Sequence, residues 1–112
     1  MHELGILTGV VSTVTEAAAG REIRSVGLRV GMRSGVIEEA LHSSWPIAIA
    51  GTACADATLQ IEMIPATVYC PACETEQPID EFFALACPVC GTPTADLRHG
   101  REFEVAFVDV ET

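Results

Sequence analysis

The chain contains no lysine. Its positive side chains are six arginines, set against 16 Asp and Glu, for a net charge of −10. Between Ser34 and Leu97 there is neither Arg nor Lys. Affinity for nucleic acid rests on basic side chains that neutralise phosphates, so this chain is not a nucleic-acid binder. Its acidic surface suits solubility and basic partners or cations. No apolar run approaches the ~18 residues of a membrane-spanning helix. The first residues lack the basic stretch and apolar segment of a secretory signal, so a cytosolic location is expected. There is no G-x4-GK[ST] loop, so nucleotide hydrolysis tied to this protein would belong to a partner. Nothing assembles a credible catalytic centre, and the chain is read as a non-enzyme. With 112 residues, of which 49% are hydrophobic, it can build one modest core, or a small domain carrying a metal-stapled module.

What is present in concentrated form is cysteine. Four of the five cysteines form two pairs, "CPAC" at Cys70 and Cys73 and "CPVC" at Cys87 and Cys90, with 13 residues between the pairs. Disulfides are rare in a reducing cytosol. The C-x2-C…C-x2-C spacing reads instead as a four-thiolate metal site. Each short turn aims two sulfurs at one point, and two turns give the tetrahedral set of a structural zinc. Gly91, directly after the last of these cysteines, suits a tight metal knuckle. The fifth, Cys54, reads as a small buried hydrophobe.

Apolar residues Leu4, Leu7, Val10, Val11, Val14, Ala17 and Ala18 recur at helical spacing, and Gly20 suits the C-terminal cap. "SVGLRVG" alternates as a half-buried strand, with Val26, Leu28 and Val30 inward and Arg29 outward. In "SGVIEEALHSSW", Ser34 can cap a second helix and Glu38 and Glu39 favour its first turn. Ile37, Ala40, Leu41, Ser44 and Trp45 would form its apolar stripe, and Pro46 should kink or end it unless it begins a second short turn. Leu59, Ile61 and Met63 mark a second strand that Pro65 ends or puts at an edge. A last strand carries Phe103, Val105 and Phe107 on one face.

The expected fold is α+β: a small sheet of about three strands packed with two helices, plus an inserted zinc-ribbon module with rubredoxin-like knuckles. Residues 1–69 and 99–112 would form the α+β domain, and residues 70–98 the metal module. The strands on either side of the module could pair as a long hairpin with the metal at its far end. The module is too small for its own apolar core, so zinc would hold it together.

Taken in order, "MHE", the following helix, "LRVG", "GVIEEAL", "GT" before "ATLQIE", the two cysteine pairs and "GREFEV" resemble the HypA family, the nickel-insertion accessory proteins of [NiFe]-hydrogenase maturation. The resemblance covers nearly the whole chain. It implies a nickel site at the amino terminus, built on Met1 and His2 with Glu3 beside them, and a structural zinc on Cys70, Cys73, Cys87 and Cys90. It also implies a GTPase maturation partner (HypB-like) and docking to the hydrogenase large-subunit precursor, with the chain itself a monomer or weak homodimer. Some family members carry an acidic residue on the second helix near the nickel, and Glu38 occupies that neighbourhood here.

Donor chemistry agrees with the implied terminus. A histidine at position two offers the terminal amine, its own deprotonated amide and the imidazole Nδ1. Nitrogen and oxygen donors in square-planar arrangement suit Ni(II) or Cu(II). A fourth donor could be Glu3, a water, or a group such as His42 or His99. An incomplete protein ligand set suits a carrier that must release its metal. Two other readings of the residues are a zinc-ribbon protein-interaction adaptor in which His2 is dispensable, and a rubredoxin-like iron electron carrier. Against the second stands "CPACE", which lacks the glycine that follows the other knuckle.

Overall fold

The computed structural model describes residues 2–80 and 83–111. The chain begins with helix α1 (Glu3–Ala18), whose buried side is Leu7, Val10, Val11, Val14 and Ala18. The stripe differs from expectation at its start. Leu4 is exposed and Glu3 is buried in its place. Glu3 stands one turn before Leu7, on the row i, i+4 that faces the core. The left-handed cap is Ala19 (φ 52), not Gly20 (φ 88), which follows it in the same region. The backbone reverses there through Ala19 N–H to Glu16 O and Arg21 N–H to Ala18 O.

Strand β1 (Ile23–Gly31) follows, then helix α2 (Glu38–Ile49) and strand β2 (Thr58–Ile64). β2 lies parallel to β1, in the register Val26↔Leu59, Leu28↔Ile61 and Val30↔Met63. Parallel strands need a crossover between them, and α2 supplies it. The last strand, β6 (Phe103–Val110), lies antiparallel on the other side of β1, for the sheet order β2-β1-β6. The expected hairpin between the strands flanking the metal module does not form, because β1 stands between them. The composition of β1 explains why. Its core face is Val26, Leu28 and Val30, and its outer face carries Ser25, Gly27 and Gly31, all of them buried. Glu62, Glu104 and Asp109 keep β2 and β6 at the edges, where charges belong. On the outer face Arg29 reaches Glu104 at 3.1 Å and Glu62 at 3.8 Å, an ion pair to each neighbouring strand.

The expectation that Phe103, Val105 and Phe107 share a face also fails. Leu28 pairs with Val105 and Gly27 with Phe107, so β6 advances two residues while β1 advances one. The bulge at Ala106 turns Phe107 to the outer face, over Gly27, and brings Val108 and Val110 to the core.

The core lies between the sheet and the two helices, with Leu7, Val14, Ile23, Val26, Leu28, Val30 and Leu41 at its centre. Cys54 is fully buried within it, as the small hydrophobe expected. Trp45 packs there and donates its indole N–H to Ala57 O at 2.9 Å. The expected stripe of α2 holds for Leu41 and Trp45, while Ile37 is the exposed N-cap. Pro46 sits inside α2, which continues to Ile49. Proline removes one helical N–H bond, here three residues before the helix ends.

A second sheet has the order β4-β3-β5, built from β3 (Thr67–Cys70), β4 (Thr75–Pro78) and β5 (Leu97–His99). It is joined to the first at one end. Met32 N–H donates to Ile64 O, Gly31 N–H to Glu102 O at 2.7 Å and Arg33 N–H to Gly100 O at 2.7 Å. The backbones cross so closely that a Cβ at Gly31 would collide with the Gly100 carbonyl.

Candidate metal centres

The β3–β4 hairpin closes with Cys70 opposite Thr75, so its turn carries Cys70 and Cys73. A bridge between Ala86 and Pro93 closes the second turn around Cys87 and Cys90. The four Sγ atoms lie within 4.8 Å of one another, and Cys70 Sγ is 3.5 Å from Cys90 Sγ. A tetrahedral ion with metal–sulfur bonds of ~2.3 Å needs sulfur–sulfur edges of ~3.8 Å. The donor set, all soft thiols, fits zinc. Backbone amides point at the sulfurs: Cys73 N–H at Cys70 Sγ and Val89 N–H at Cys87 Sγ, each at 3.4 Å. The two knuckles differ where the sequence suggested. Gly91 has φ +77 after the second pair, and Glu74 takes φ +55 after the first. The first knuckle therefore adopts the same left-handed backbone without glycine.

Proton affinities within the cluster are split. The Thr92 hydroxyl, 3.1 Å from Cys90 Sγ, and the Thr92 backbone favour the Cys90 thiolate and bring that thiol down to about 6. Hydrogen bonding with Cys90 and Cys70 favours the protonated form of Cys73, which is pushed up to about 12. Sulfurs this close cannot all carry charge together without a cation among them.

The amino terminus offers a different kind of place. His2 is exposed and N-caps α1, its carbonyl accepting from Ile6 N–H at 3.0 Å while its side chain makes no capping bond. Its own amide precedes the first helical turn, where amides have no acceptor within the helix. Met1 lies outside the described residues. Glu3 is buried, and its Oε2 accepts the N–H of Ile37, the N-cap of α2, at 3.3 Å. Ser34, expected to cap α2, instead accepts from Val36 N–H at 3.2 Å. The carboxylate at the start of α2 thus comes from α1, which suits the positive end of a helix. Sequence reasoning missed this tertiary role of Glu3.

Glu38 follows Ile37 directly, and its Oε2 lies 3.7 Å from His42 Nε2 one turn on. These two side chains share the turn of α2 that abuts the start of α1. His99, the other candidate donor, is on β5 in the second sheet and is engaged with Glu102 and Glu76.

Residues 1–110 match the family model described as "Hydrogenase/urease nickel incorporation, metallochaperone, hypA". The chain belongs to the HypA family. Among similar proteins is the hydrogenase maturation factor HypA of Chloroflexus aggregans, 42% identical over 112 residues, covering 97% of this chain and 98% of that one. The hydrogenase maturation factor HypA of Geotalea daltonii is 38% identical over 110 residues, covering 98% and 99%. The fold is similar to the solution structure of the Ni metallochaperone HypA from Helicobacter pylori, with TM-score 0.68 at 19% identity, covering 98% of this chain and 97% of that one. Members of the HypA family are nickel-incorporation metallochaperones of hydrogenase maturation, accessory proteins and not enzymes.

Proposed function

We propose that this chain carries Ni(II) on its first residues and delivers it to the [NiFe]-hydrogenase large-subunit precursor in the cytosol, with a HypB-like GTPase as partner. The nickel is cargo. Its donors are the Met1 amine and the His2 amide and imidazole, with Glu3 beside them at the junction of α1 and α2. Cys70, Cys73, Cys87 and Cys90 hold a structural zinc, which supplies the second lobe with the folding energy its small apolar content lacks. The observation that carries this reading is an exposed His2 at the head of a helix, in a chain that belongs to a nickel-incorporation family.

The two donor sets suit different tasks. Four thiolates close the coordination sphere of a tetrahedral ion and leave no opening for exchange. A terminus with three nitrogens leaves a position through which a receiving ligand can enter. The amide gives up its proton on binding, and the amine and imidazole coordinate only in their unprotonated forms, so nickel affinity rises with pH.

Calorimetry with nickel tests the proposal on the native chain, on His2→Ala and on a chain extended at its amino terminus. His2→Ala should lose tight nickel binding while keeping zinc and fold. The extension should do nearly the same, by turning the amine into an amide and moving His2 from position two. If either binds nickel as tightly as the native chain, the terminus is not the carrier site.

A further inference from the structure

The second cysteine knuckle presents large apolar side chains to solvent. Leu85 is 60% exposed and Val89 is 70% exposed. Leu85 also has φ +61, a left-handed backbone that strains a leucine and suits a glycine. The same knuckle does use glycine at its other such position, Gly91, with φ +77. The Leu85 backbone is held in place, its carbonyl accepting from Thr94 N–H at 2.9 Å beside the Ala86–Pro93 bridge. Strain is thus kept at a leucine whose side chain the fold itself leaves out of the core. Strain that the surrounding structure maintains points to function.

A cavity of about 540 Å³ opens on the same lobe, lined by Ile79, Phe83, Ala84, Ala86 and Pro88 among others. Ala84 and Ala86 flank Leu85 in the chain, and Pro88 precedes Val89. Knobs and hollow therefore belong to one surface, which is the condition for a two-fold contact in which each copy fills the other. Charge selects the occupant. From Phe82 to Ala95 the sequence carries no charged side chain. Asp80, at the cavity, and Asp96, which follows the uncharged stretch, each have an arginine beside them. Arg33 Nη1 donates to Asp80 O at 3.2 Å, and Arg98 lies 2.8 Å from Asp96. In a chain of net charge −10, a basic partner is drawn to the carboxylate-rich faces and not to this neutral one. Two like-charged copies, by contrast, meet here without setting carboxylate against carboxylate.

We infer that the second knuckle is a docking surface for a second copy of this chain, with Leu85 and Val89 of each copy entering the cavity of the other about a two-fold axis. Burial of apolar surface drives the contact. A single knob-and-hollow patch is small beside the roughly 1,600 Å² of a standard interface, so the pair is weak and reversible. The net charge of the two copies opposes it, and added salt strengthens it by screening that repulsion. The amino terminus takes no part, so this inference stands apart from nickel carriage.

Sedimentation equilibrium of the full zinc-loaded chain tests this from about 10 μM to about 1 mM, the range in which weak association is read. A phosphine reductant excludes disulfide-linked pairs. The native chain should pass from one chain toward two across that range, and further so at about 0.5 M salt than at about 0.05 M. Leu85→Gly should remain single throughout. Glycine suits φ +61, so this variant should keep its zinc and keep or raise its urea midpoint, which separates loss of contact from loss of fold. Val89→Glu should also stay single. Ile47→Glu changes a residue of α2 that is 66% exposed, and it should associate as the native chain does. A native chain that stays single at the highest concentration overturns the inference, and so does a Leu85→Gly chain that pairs as the native one does. Association that Ile47→Glu alone removes, or that weakens as salt rises, places the contact on another surface and overturns it too.

Discussion

Substituting alanine for glycine should have opposite effects at two places in this chain. At Gly31 the added Cβ would collide with the Gly100 carbonyl and lie 2.6 Å from Arg101 N, all of it backbone. No side chain can swing away, so the strand ends must part. Two backbone hydrogen bonds are at stake, Gly31 N–H to Glu102 O and Arg33 N–H to Gly100 O. At about 1 kcal/mol each, with some strain retained as in other overpacked sites, Gly31→Ala should cost about 2–3 kcal/mol. For a chain of this size that lowers Tm by roughly 8–12 °C. Gly9 lies inside α1, and a Cβ added there would have nothing within 4 Å. Gly9→Ala should therefore gain about 0.5–1 kcal/mol from helix propensity alone. Thermal and urea unfolding of both variants, followed by circular dichroism, reads the difference. A Gly31→Ala chain as stable as the native one, or a Gly9→Ala chain less stable, would refute the argument from backbone crossing.

Cys73→Ser and Cys90→Ser should each abolish stoichiometric zinc by elemental analysis and collapse the amide dispersion of residues 70–98, while signals from α1 and β1 persist. Zinc loading near neutral pH should release protons to an indicator dye, because Cys73, pushed up to about 12, must give up its proton while Cys90, near 6, is already largely thiolate; zinc affinity should accordingly fall as pH drops from neutral, and more steeply below about 6, where Cys90 is protonated as well. Trp45→Phe deletes the indole donor to Ala57 O and leaves a buried carbonyl unpaired, a cost of about 1–3 kcal/mol by urea denaturation. Duplex DNA should not bind at moderate salt, since the stretch from Ser34 to Leu97 has no basic side chain; a retarded band with a steep salt dependence would contradict the charge argument.

What could be read from the sequence was local. The cysteine turns were legible because two ligands three residues apart are brought together by a single turn, whatever the rest of the chain does. The helical stripe from Leu7 to Ala18 and the alternation at Val26, Leu28 and Val30 were legible for the same reason. Pairing was not. A strand's alternation says which face is inward but not which strand lies beside it, and the hairpin between the strands flanking the cysteines was the simplest guess. The overlooked signal was on β1, whose outer face carries the buried small residues Ser25, Gly27 and Gly31 around a single Arg29, which suits a strand flanked by neighbours on both edges. The bulge at Ala106 was equally hidden, because one extra residue changes the face of Phe107 without altering the pattern of residue types. Glu3 was visible as a candidate ligand, but its partner, Ile37 N–H, is 34 residues away and becomes a neighbour only through tertiary packing.

The parallel pairing of β1 and β2 also decides where the two candidate metal sites stand relative to each other. α1 runs away from the amino terminus, and β1 returns toward it, so the end of β1 lies at the same end of the lobe as His2. The turn after β1 carries the chain to Ile37, where Glu3 receives it. Because β2 is parallel to β1, it too finishes at this end, at Ile64, and passes through Pro65 and Ala66 into β3. Had β2 and β6 formed a hairpin at the far edge, the cysteine lobe would project from a strand with no contact to β1. Instead Gly31, Met32 and Arg33 are bonded to Glu102, Ile64 and Gly100, and the segment that bears the second lobe is fixed to the strand whose continuation leads to α2 and Glu3. The order of three strands, more than any single ligand, is what sets the proposed carrier terminus and the four-cysteine lobe at the same end of the molecule.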